Sequence, residues 1–572
     1  MRSLFPLLLV GCTLLSSLSQ AQLTWSKSSY PIRTAGAGEH ADFTGDGFPD
    51  LIFLGTAGTA ILPNTGNGAF DSSRAFTTKE GQRAIADFNR DGKTDVALCD
   101  GANLVILLGS GDGALTVSQT VPVSCRFVVA SDFDRDGNPD IAVTVDGSTN
   151  SGDNQVIVYL GDGSGGVSGK IVNDNVNFVS TAGSGGSACF LQGAAEAADF
   201  TGDKVADIAI AAPCPNGTFT NDALIVGVGD GTGHFTFHKD VEFGFDSLRM
   251  RLGDADQDGK RDFIVTGVSA APHFFSSALF LLKGNGNGTF TFQQIASMDT
   301  DNAINSAAVA DFDGDGIKDA VLAVQSIDPN TAQIVFSMQF LKGQLDGSYK
   351  LTQTSPLATS VLDLVSGDFD KDGRVDLALL RQSSTDIWLN QTSAAPICPA
   401  LGDLRTVNLC SYGSPGGTFH FVANPLDNRH VNAVQIYIDG SLRFETPDDL
   451  LNTRLQVRGG TIRLTAKGWD DLGPFSTTIN LLACLNDTFR TVTICSPANG
   501  SSSGNAVHIV ASAATSLAFS QLQVYVDGVV RYRTSSQYVD IAPDLALGTH
   551  RITVKGWDSS GAFWNTILVT VR

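Results

Sequence analysis

Nine residues, Asp311-Phe312-Asp313-Gly314-Asp315-Gly316-Ile317-Lys318-Asp319, place carboxylates at positions one, three, five and nine of one short segment. Oxygen side chains so spaced converge on a single hard cation. The backbone carbonyl at position seven adds a ligand, and glycine at position six permits the sharp turn. The chemistry of such a loop is metal caging, and calcium is the ion that it fits.

The spacing is that of the first half of an EF-hand loop, but the flanks differ. Ala-Ala-Val-Ala precedes the loop and Ala-Val-Leu-Ala-Val follows it, runs of strand type in place of amphipathic helices, and no Glu stands at position twelve. Two β-strands therefore hold the cage.

The nine-residue pattern occurs seven times. The first copy offers Asp42, Thr44, Asp46, Asp50 and the carbonyl of Phe48; the second, Asp87, Asn89, Asp91, Asp95 and the carbonyl of Lys93. The third offers Asp132, Asp134, Asp136, Asp140 and the carbonyl of Asn138; the fourth, Asp199, Asp203 and Asp207. The fifth offers Asp254, Asp256, Asp258, Asp262 and the carbonyl of Lys260. The sixth is Asp311, Asp313, Asp315, Asp319 and the carbonyl of Ile317; the seventh, Asp368, Asp370, Asp372, Asp376 and the carbonyl of Arg374. Up to seven calcium ions are expected. The fourth copy departs most from the pattern, with Thr201 at position three and Lys204 in place of the turn glycine, which puts its calcium in doubt. Successive copies start 45 to 67 residues apart, a period that accommodates several strands per unit and predicts a β-propeller.

Charge fits this reading. The chain of 572 residues has a formal net charge of -22, and twenty-five of its 59 acidic residues are the aspartates of the seven loops. The acidity argues for metal and against nucleic acid, which requires basic stripes. Sixty-one glycines and few helical periods point to an all-β chain.

At the N-terminus, Arg2, an apolar stretch from Leu4 to Leu18, and Ser19-Gln20-Ala21 read as a secretory signal over residues 1–21. A competing reading takes Leu9-Val10-Gly11-Cys12 as a lipobox with Cys12 lipid-bearing. No other segment approaches the ~20 apolar residues of a membrane span. The expected location is extracellular, cell-surface or periplasmic. Eight cysteines beyond the signal suit an oxidising compartment, and proximity pairs Cys99 with Cys125, Cys189 with Cys214, Cys398 with Cys410, and Cys484 with Cys495.

Each unit reads as four strands. In the sixth these are Ala307 to Ala310, Ala320 to Val324, Ile334 to Leu341, and about Ser348 to Gln353. After the third strand comes a second repeated element, such as Leu108-Gly109-Ser110-Gly111-Asp112-Gly113 or Leu160-Gly161-Asp162-Gly163. No βαβ unit surrounds it, so it is a hairpin turn and not a nucleotide site. The seventh unit stops after three strands at Ile387-Trp388-Leu389-Asn390, and Leu23 to Tyr30 is predicted to supply the fourth, closing the ring.

Seven loops of the form D-x-[DNT]-x-D-[GK]-x-x-D alternating with L-G-x-G-x-G turns resemble the FG-GAP/VCBS repeat family, whose repeat the integrin alpha-subunit propeller shares. The resemblance covers about residues 23 to 393. It implies a seven-bladed propeller, with calcium in the loops between first and second strands. It also implies a secreted or surface protein of adhesion or ligand binding, although a few relatives are joined to enzymes. Calcium in these loops is expected to hold the fold and to have no catalytic role.

Long insertions fall on the face opposite the loops: Asp146 to Gln155, Asn173 to Gln192, Pro213 to Asp222, Ser269 to Ser277 and Ser326 to Ala332. Phe178, Phe219, His273, Phe274 and Phe275 there are either ligand contacts or covers of the loop cores. His234 and His238 share a strand face but stand too far apart to share a metal.

After a linker ending the propeller domain (22–393), a second repeat begins. Tyr437-Ile438-Asp439-Gly440 and Lys467-Gly468-Trp469-Asp470 recur 88 residues later as Tyr525-Val526-Asp527-Gly528 and Lys555-Gly556-Trp557-Asp558. Two β-sandwiches are predicted, residues 397–484 and 485–572, similar to bacterial Ig-like modules found in tandem on exported proteins. Trp469 and Trp557 are read as core residues, with sugar stacking the alternative.

No catalytic constellation is visible, neither HExxH nor GxSxG. The sequence therefore predicts an all-β, secreted, calcium-binding protein that binds an extracellular protein or polysaccharide. The alternative is a carbohydrate-active enzyme, such as a polysaccharide lyase, or a lectin using the insertion face.

Overall fold

The computed structural model describes residues 23–572 apart from 56–57, 73–75, 78–79, 148–153, 180–188, 217–218, 244–245, 257, 259, 272–273, 299–301, 329, 345–347, 393–397, 399–404, 414–417, 428–430, 447–449, 458–459, 471, 484–489, 516 and 518. The stretch expected to be a secretory signal, with Cys12, thus lies outside the described residues. Among those described, every regular element is a β-strand.

Residues 25–390 form seven four-stranded antiparallel sheets. We number these blades by their loops: blade 1 (34–77), 2 (82–122), 3 (125–173), 4 (195–242), 5 (246–298), 6 (302–357) and 7 (363–390). Blade 7 draws its outer strand from the opposite end of the chain. Trp25–Tyr30 runs antiparallel to Thr385–Asn390, with Trp25 opposite Asn390 and Tyr30 opposite Thr385. The inner strand of blade 1, Thr34–Ala41, then lies against that of blade 7, Asp363–Gly367, so the ring closes. Closure gives blade 7 its fourth strand, so that each of the seven blades is a four-stranded sheet with its outer strand at the rim.

The cores lie between blades. One cluster joins Ile52 and Ile61 of blade 1 to Val96 and Val105 of blade 2, and another joins Leu51 and Phe53 of blade 1 to Ala378 and Leu380 of blade 7. Five more fill the remaining interfaces. This placement explains why the second and third strands read as continuous apolar runs: both faces of each sheet are covered. Disulfide Cys99–Cys125 joins the end of a blade 2 strand to the start of blade 3, and Cys189–Cys214 staples the insertion before blade 4 to that blade.

Several strands run longer than their alternation suggests. In blade 6 they are Asn302–Ala310, Asp319–Ile327, Ile334–Gly343 and Tyr349–Leu357. Two stretches read as loops, Pro213 to Asp222 and Ser269 to Ser277, are instead mostly ladder. Asp207–Asn216 pairs with Phe219–Gly229 out to Asn216 opposite Phe219, and Asp262–Ala271 pairs with Phe274–Gly284 out to Ala271 opposite Phe274. Prolines 213 and 215 sit within the first of these hairpins, where their missing N–H groups obscured the strand pattern.

Residues 406–483 form a sandwich of a three-stranded and a four-stranded sheet around Phe419, Phe421, Ile436 and Leu464. Residues 491–571 form a second, of three and five strands, around Val510's neighbours Ile509 and Ala511 with Val524 and Val554. Cys398 pairs with Cys410. Cys495 is also disulfide-bonded, while Cys484 lies outside the described residues.

Trp469 and Trp557 depart from the reading as core residues. Both belong to the face of their strand opposite Leu464 and Val554 and are half-buried, outside the two cores. Trp469 Nε1 donates to Gln435 Oε1 at 2.7 Å.

Candidate metal centre

Each loop joins the inner strand of a blade to the second strand, and its hydrogen bonds repeat from copy to copy. The first aspartate collects N–H groups from its own loop. Asp311 Oδ1 accepts Asp315 N at 3.0 Å and Oδ2 accepts Gly316 N at 2.7 Å. The fifth-position aspartate accepts the N–H of position seven: Asp46 from Phe48, Asp91 from Lys93, Asp136 from Asn138, Asp203 from Val205, Asp258 from Lys260, Asp315 from Ile317 and Asp372 from Arg374, all within 2.7–3.0 Å. The turn at position six takes φ of 82° at Gly316 and 87° at Gly373, left-handed values that glycine adopts without steric cost. Lys204 adopts the same turn at φ 67°, and its N–H still reaches Asp199 Oδ2 at 2.8 Å. The fourth loop therefore keeps its shape. What it lacks is a carboxylate at position three, where the Thr201 hydroxyl lies 3.3 Å from Asp199 Oδ1.

The ninth-position aspartate also works as a brace. In blade 1, Asp50 Oδ2 accepts Phe43 N at 2.8 Å while Oδ1 accepts Asn64 N, at the end of the third strand, at 2.6 Å. Asp95, Asp140, Asp207, Asp262, Asp319 and Asp376 make the same pair of bonds in their blades.

Four loops bring three carboxylates together with oxygens within 4.8 Å of one another: Asp132, Asp134 and Asp136; Asp254, Asp256 and Asp262; Asp311, Asp313 and Asp315; Asp368, Asp370 and Asp376. The first, second and fourth loops carry Thr44, Asn89 and Thr201 at position three, so their anionic sets are smaller. A donor set of carboxylates, hydroxyls and a backbone carbonyl fits a hard, oxygen-seeking divalent cation such as calcium.

The electrostatics point the same way. Burial, with only backbone N–H groups to offset it, pushes the Asp42 carboxyl up to about 6, Asp50 to about 8, and Asp95, Asp140 and Asp262 to about 6. Burial and then the neighbouring carboxylates push Asp319 up to about 7 and Asp311 well above the usual range. Such groups resist ionisation until a cation is placed among them.

Some loops carry their own cation. Lys342, at the end of the third strand of blade 6, pairs with Asp313 and, at 2.7 Å, with Asp315. Lys283 holds the equivalent place in blade 5, 3.3 Å from Asp256. Lys260 and Asp258 pair at 2.7 Å, and Arg374 pairs with Asp372.

Two sets of residues escape a motif reading. The phenylalanine at position two is almost fully buried in the interface to the next blade, as Phe43, Phe88, Phe133, Phe200, Phe312 and Phe369 show. Its carbonyl accepts the N–H of a glycine in the next blade's hairpin turn: Gly113 on Phe43, Gly165 on Phe88, Gly233 on Phe133 and Gly288 on Phe200, at 2.9–3.2 Å. The second repeated element is thus a hairpin turn that also staples blades. Where asparagine takes the place of the first glycine of that element, its side chain makes the link: Asn64 Nδ2 donates to Phe369 O and Asn390 Nδ2 to Phe312 O, both at 2.8 Å. The repetition of the turn motif was the available signal for the first set; single asparagines left none.

The second set belongs to the first sandwich, which sits on the loop face. Arg454 packs on Gly316, Cys398 N donates to Asp372 O at 3.2 Å, and Asn424 Nδ2 donates to Asp368 Oδ2 at 2.9 Å. Between this sandwich and loops 1, 6 and 7 lies a cavity of about 210 Å³ lined by residues including Asp42, Asp311, Asp368, Lys371 and Asp427.

On the opposite face, Phe178 packs against the core between blades 3 and 4, so it covers its loop. The side chains of Phe219, Phe274 and Phe275 and the whole of His273 lie outside the described residues. His238 Nε2 lies 3.1 Å from Gly288 O, a second link between blades 4 and 5. Among the described residues no helix is long and apolar enough to cross a membrane.

Comparison with known proteins identifies two kinds of module. A model of the FG-GAP-like repeat matches residues 87–143 and 254–322, and a model of the bacterial Ig domain matches residues 491–554. No curated protein matches the chain. Among solved structures, BBS1N in complex with ARL6DN is 12% identical, covering 65% of this chain and 98% of its own, with a TM-score of 0.40. The β-propeller domain of Cps50 (Swd1) from Myceliophteria thermophila is 9% identical, covering 64% and 99%, with a TM-score of 0.36. The fibronectin(III)-like modules of Clostridium thermocellum CbhA are 18% identical, covering 29% and 94%, with a TM-score of 0.15. The chain thus carries FG-GAP-like repeats within a β-propeller and a bacterial Ig domain at residues 491–554.

Proposed function

We propose that this is a secreted, calcium-binding propeller protein that binds an extracellular ligand or mediates adhesion, without catalysis. The observation that carries the reading is the four loops in which three carboxylates lie with oxygens within 4.8 Å of one another. Calcium there is structural. With extracellular-type affinities of ~10⁻⁴ M and calcium near ~10⁻³ M, each filled site adds ~1.4 kcal/mol. The disulfides support an oxidising, exported setting.

The ligand surface is the face opposite the loops. There the hairpins of blades 4, 5 and 6 extend beyond their neighbours, and Ile327, Ile334 and Val335 at the blade 6 tip are 46%, 57% and 42% exposed. Apolar groups raised on a rigid scaffold suit contact with a protein or polysaccharide.

Calorimetric titration with calcium, with melts in calcium and in chelator, tests the metal part. Several bound ions and a large fall in Tm on chelation are expected; no heat and no shift would remove it. Binding of the calcium-loaded protein to extracellular protein and polysaccharide panels tests the rest. Saturable binding without turnover is expected, whereas unsaturated products absorbing in the ultraviolet would make the protein a lyase.

A further inference from the structure

The five-stranded sheet of the second sandwich sends Leu522, Val524, Ile552 and Val554 into the core, so the alternate residues of its strands face outward. Register sets these in rows. One row runs Arg533, Gln523, Lys555 and Trp564 across four adjacent strands, and the next holds Tyr525, Thr553 and Thr566. Lys555 Nζ lies 4.7 Å from the centroid of the Tyr525 ring and 5.8 Å from that of Trp564. Trp564 is 62% exposed, and beside it the Thr553 and Thr566 hydroxyls meet at 2.9 Å in an exposed pair.

The first sandwich has the same row with two changes. There it runs Glu445, Gln435, Lys467 and Ser476, so that Glu445 stands for Arg533 and Ser476 for Trp564, each 88 residues earlier. Glu445 is turned to the propeller, 3.6 Å from Arg261 in the fifth loop. The fold demands neither Arg533 nor Trp564, because the sister module stands without them. What they add is a bare aromatic plane and a second cation beside Lys555.

Asp558 is the one acidic residue in these five strands, and it is buried, bonded to Arg490 and Thr515. A positively charged strip thus stands on a chain of net charge -22. Fields fall off over about 8 Å at ~0.15 M salt, so the local charge of the face decides what it attracts. An exposed ring plane stacks on the apolar side of a pyranose, threonine hydroxyls match sugar hydroxyls, and the flanking cations match a carboxylate or sulfate.

We propose that this face of the second sandwich binds an acidic polysaccharide, with Trp564 as the stacking platform and Arg533 and Lys555 as the anion contacts. The site lies on a different domain from the propeller face and needs no calcium, so it stands or falls apart from the function proposed there.

The test sets the full chain from residue 22 against polygalacturonate, chondroitin sulfate and neutral dextran, in affinity gels and by calorimetry at ~0.15 M salt. Binding to one or both acidic polymers and not to dextran is expected, and which of the two binds separates carboxylate from sulfate recognition. Trp564→Ala and Arg533→Glu should each weaken binding by about tenfold, while Trp564→Phe keeps most of it and all three melt as wild type does. No binding to either acidic polymer, or equal binding to dextran, would overturn the proposal. So would binding that survives both Trp564→Ala and Arg533→Glu, which would put the polymer on another face, such as that of the propeller. A dimer in sedimentation that Trp564→Ala abolishes, without polymer binding, would overturn it too and make the strip a contact between copies of the chain.

Discussion

The Lys342 ammonium lies 2.7 Å from Asp315 Oδ2 and also pairs with Asp313, at positions five and three of the sixth loop. It stands where an added cation would draw the same two carboxylates. The carboxylates in turn hold the lysine in its charged form, with its pKa raised. Lys342→Gln should therefore raise calcium affinity at one site, by on the order of tenfold, or ~1.4 kcal/mol. The same change should lower Tm in chelator, because two partly buried carboxylates lose their counter-ion. Calorimetry and melts of the variant check both signs, and unchanged affinity would mean that the lysine swings clear of the ion at little cost.

Ring closure is the second point to test. Trp25 stacks on Phe340, with centroids 5.8 Å apart, and packs on Phe312 and Trp388, while Lys27 lies 3.4 Å above the Trp388 ring. Trp25→Ala should cost about 3 kcal/mol. Deletion of residues 22 to 33 should destabilise the propeller as a whole, since it strips the outer strand of blade 7 and bares an edge. Thermal melts decide; an unchanged Tm after deletion would mean that the strand adds nothing to closure.

The parts of the fold legible in the sequence are those that repeat. The Asp loops and glycine turns recur in register with the blades, so strand order and the closing strand followed from counting. The hairpins of blades 4 and 5 were obscured because Pro213, Pro215 and the small residues Ser269 to Ala271 break the apolar pattern that marks a strand. Trp469 was misplaced although a signal existed: Ile462, Leu464 and Ala466 alternate into the core, and by that parity Lys467 and Trp469 face outward. The contacts of Asn424 and Arg454 with the loops depend on how one domain lies on another. No local period encodes that.

The axis of the propeller yields a pH prediction. Asp363 joins four blades: it accepts Gly38 N at 2.9 Å and Ser306 Oγ at 2.8 Å, and pairs with Arg251 at 2.7 Å and Arg249 at 3.2 Å. Glu196 faces the same channel. Desolvation there pushes it up to about 8, with Arg251 lowering and Glu39 raising it. A raised carboxyl favours the protonated folded state, so its stabilisation is complete below the ordinary glutamate value and is lost as pH rises through about 8. Glu196→Gln should match wild type near pH 4 and melt a few degrees higher at pH 9. Parallel Tm curves across that range would show that Glu196 ionises normally.

Asn390 offers the sharpest test of the interblade staples. It is fully buried at the end of the third strand of blade 7, and its Nδ2 donates to Phe312 O at 2.8 Å and to Val375 O at 3.1 Å. The glycine turns make the corresponding bond with a backbone N–H, which mutation cannot remove; here a side chain does it. Asn390→Ala leaves Phe312 O without that donor inside an apolar interface and should cost about 1–3 kcal/mol. Phe312 stands at position two of the sixth loop, so the loss should also loosen that loop and weaken calcium there. Asn64→Ala, acting on Phe369 O, should do the same to the seventh loop. Denaturant unfolding with a calcium titration of each variant separates the effects. Destabilisation without any change at the neighbouring loop would mean that the staple holds blades together but does not shape the cage.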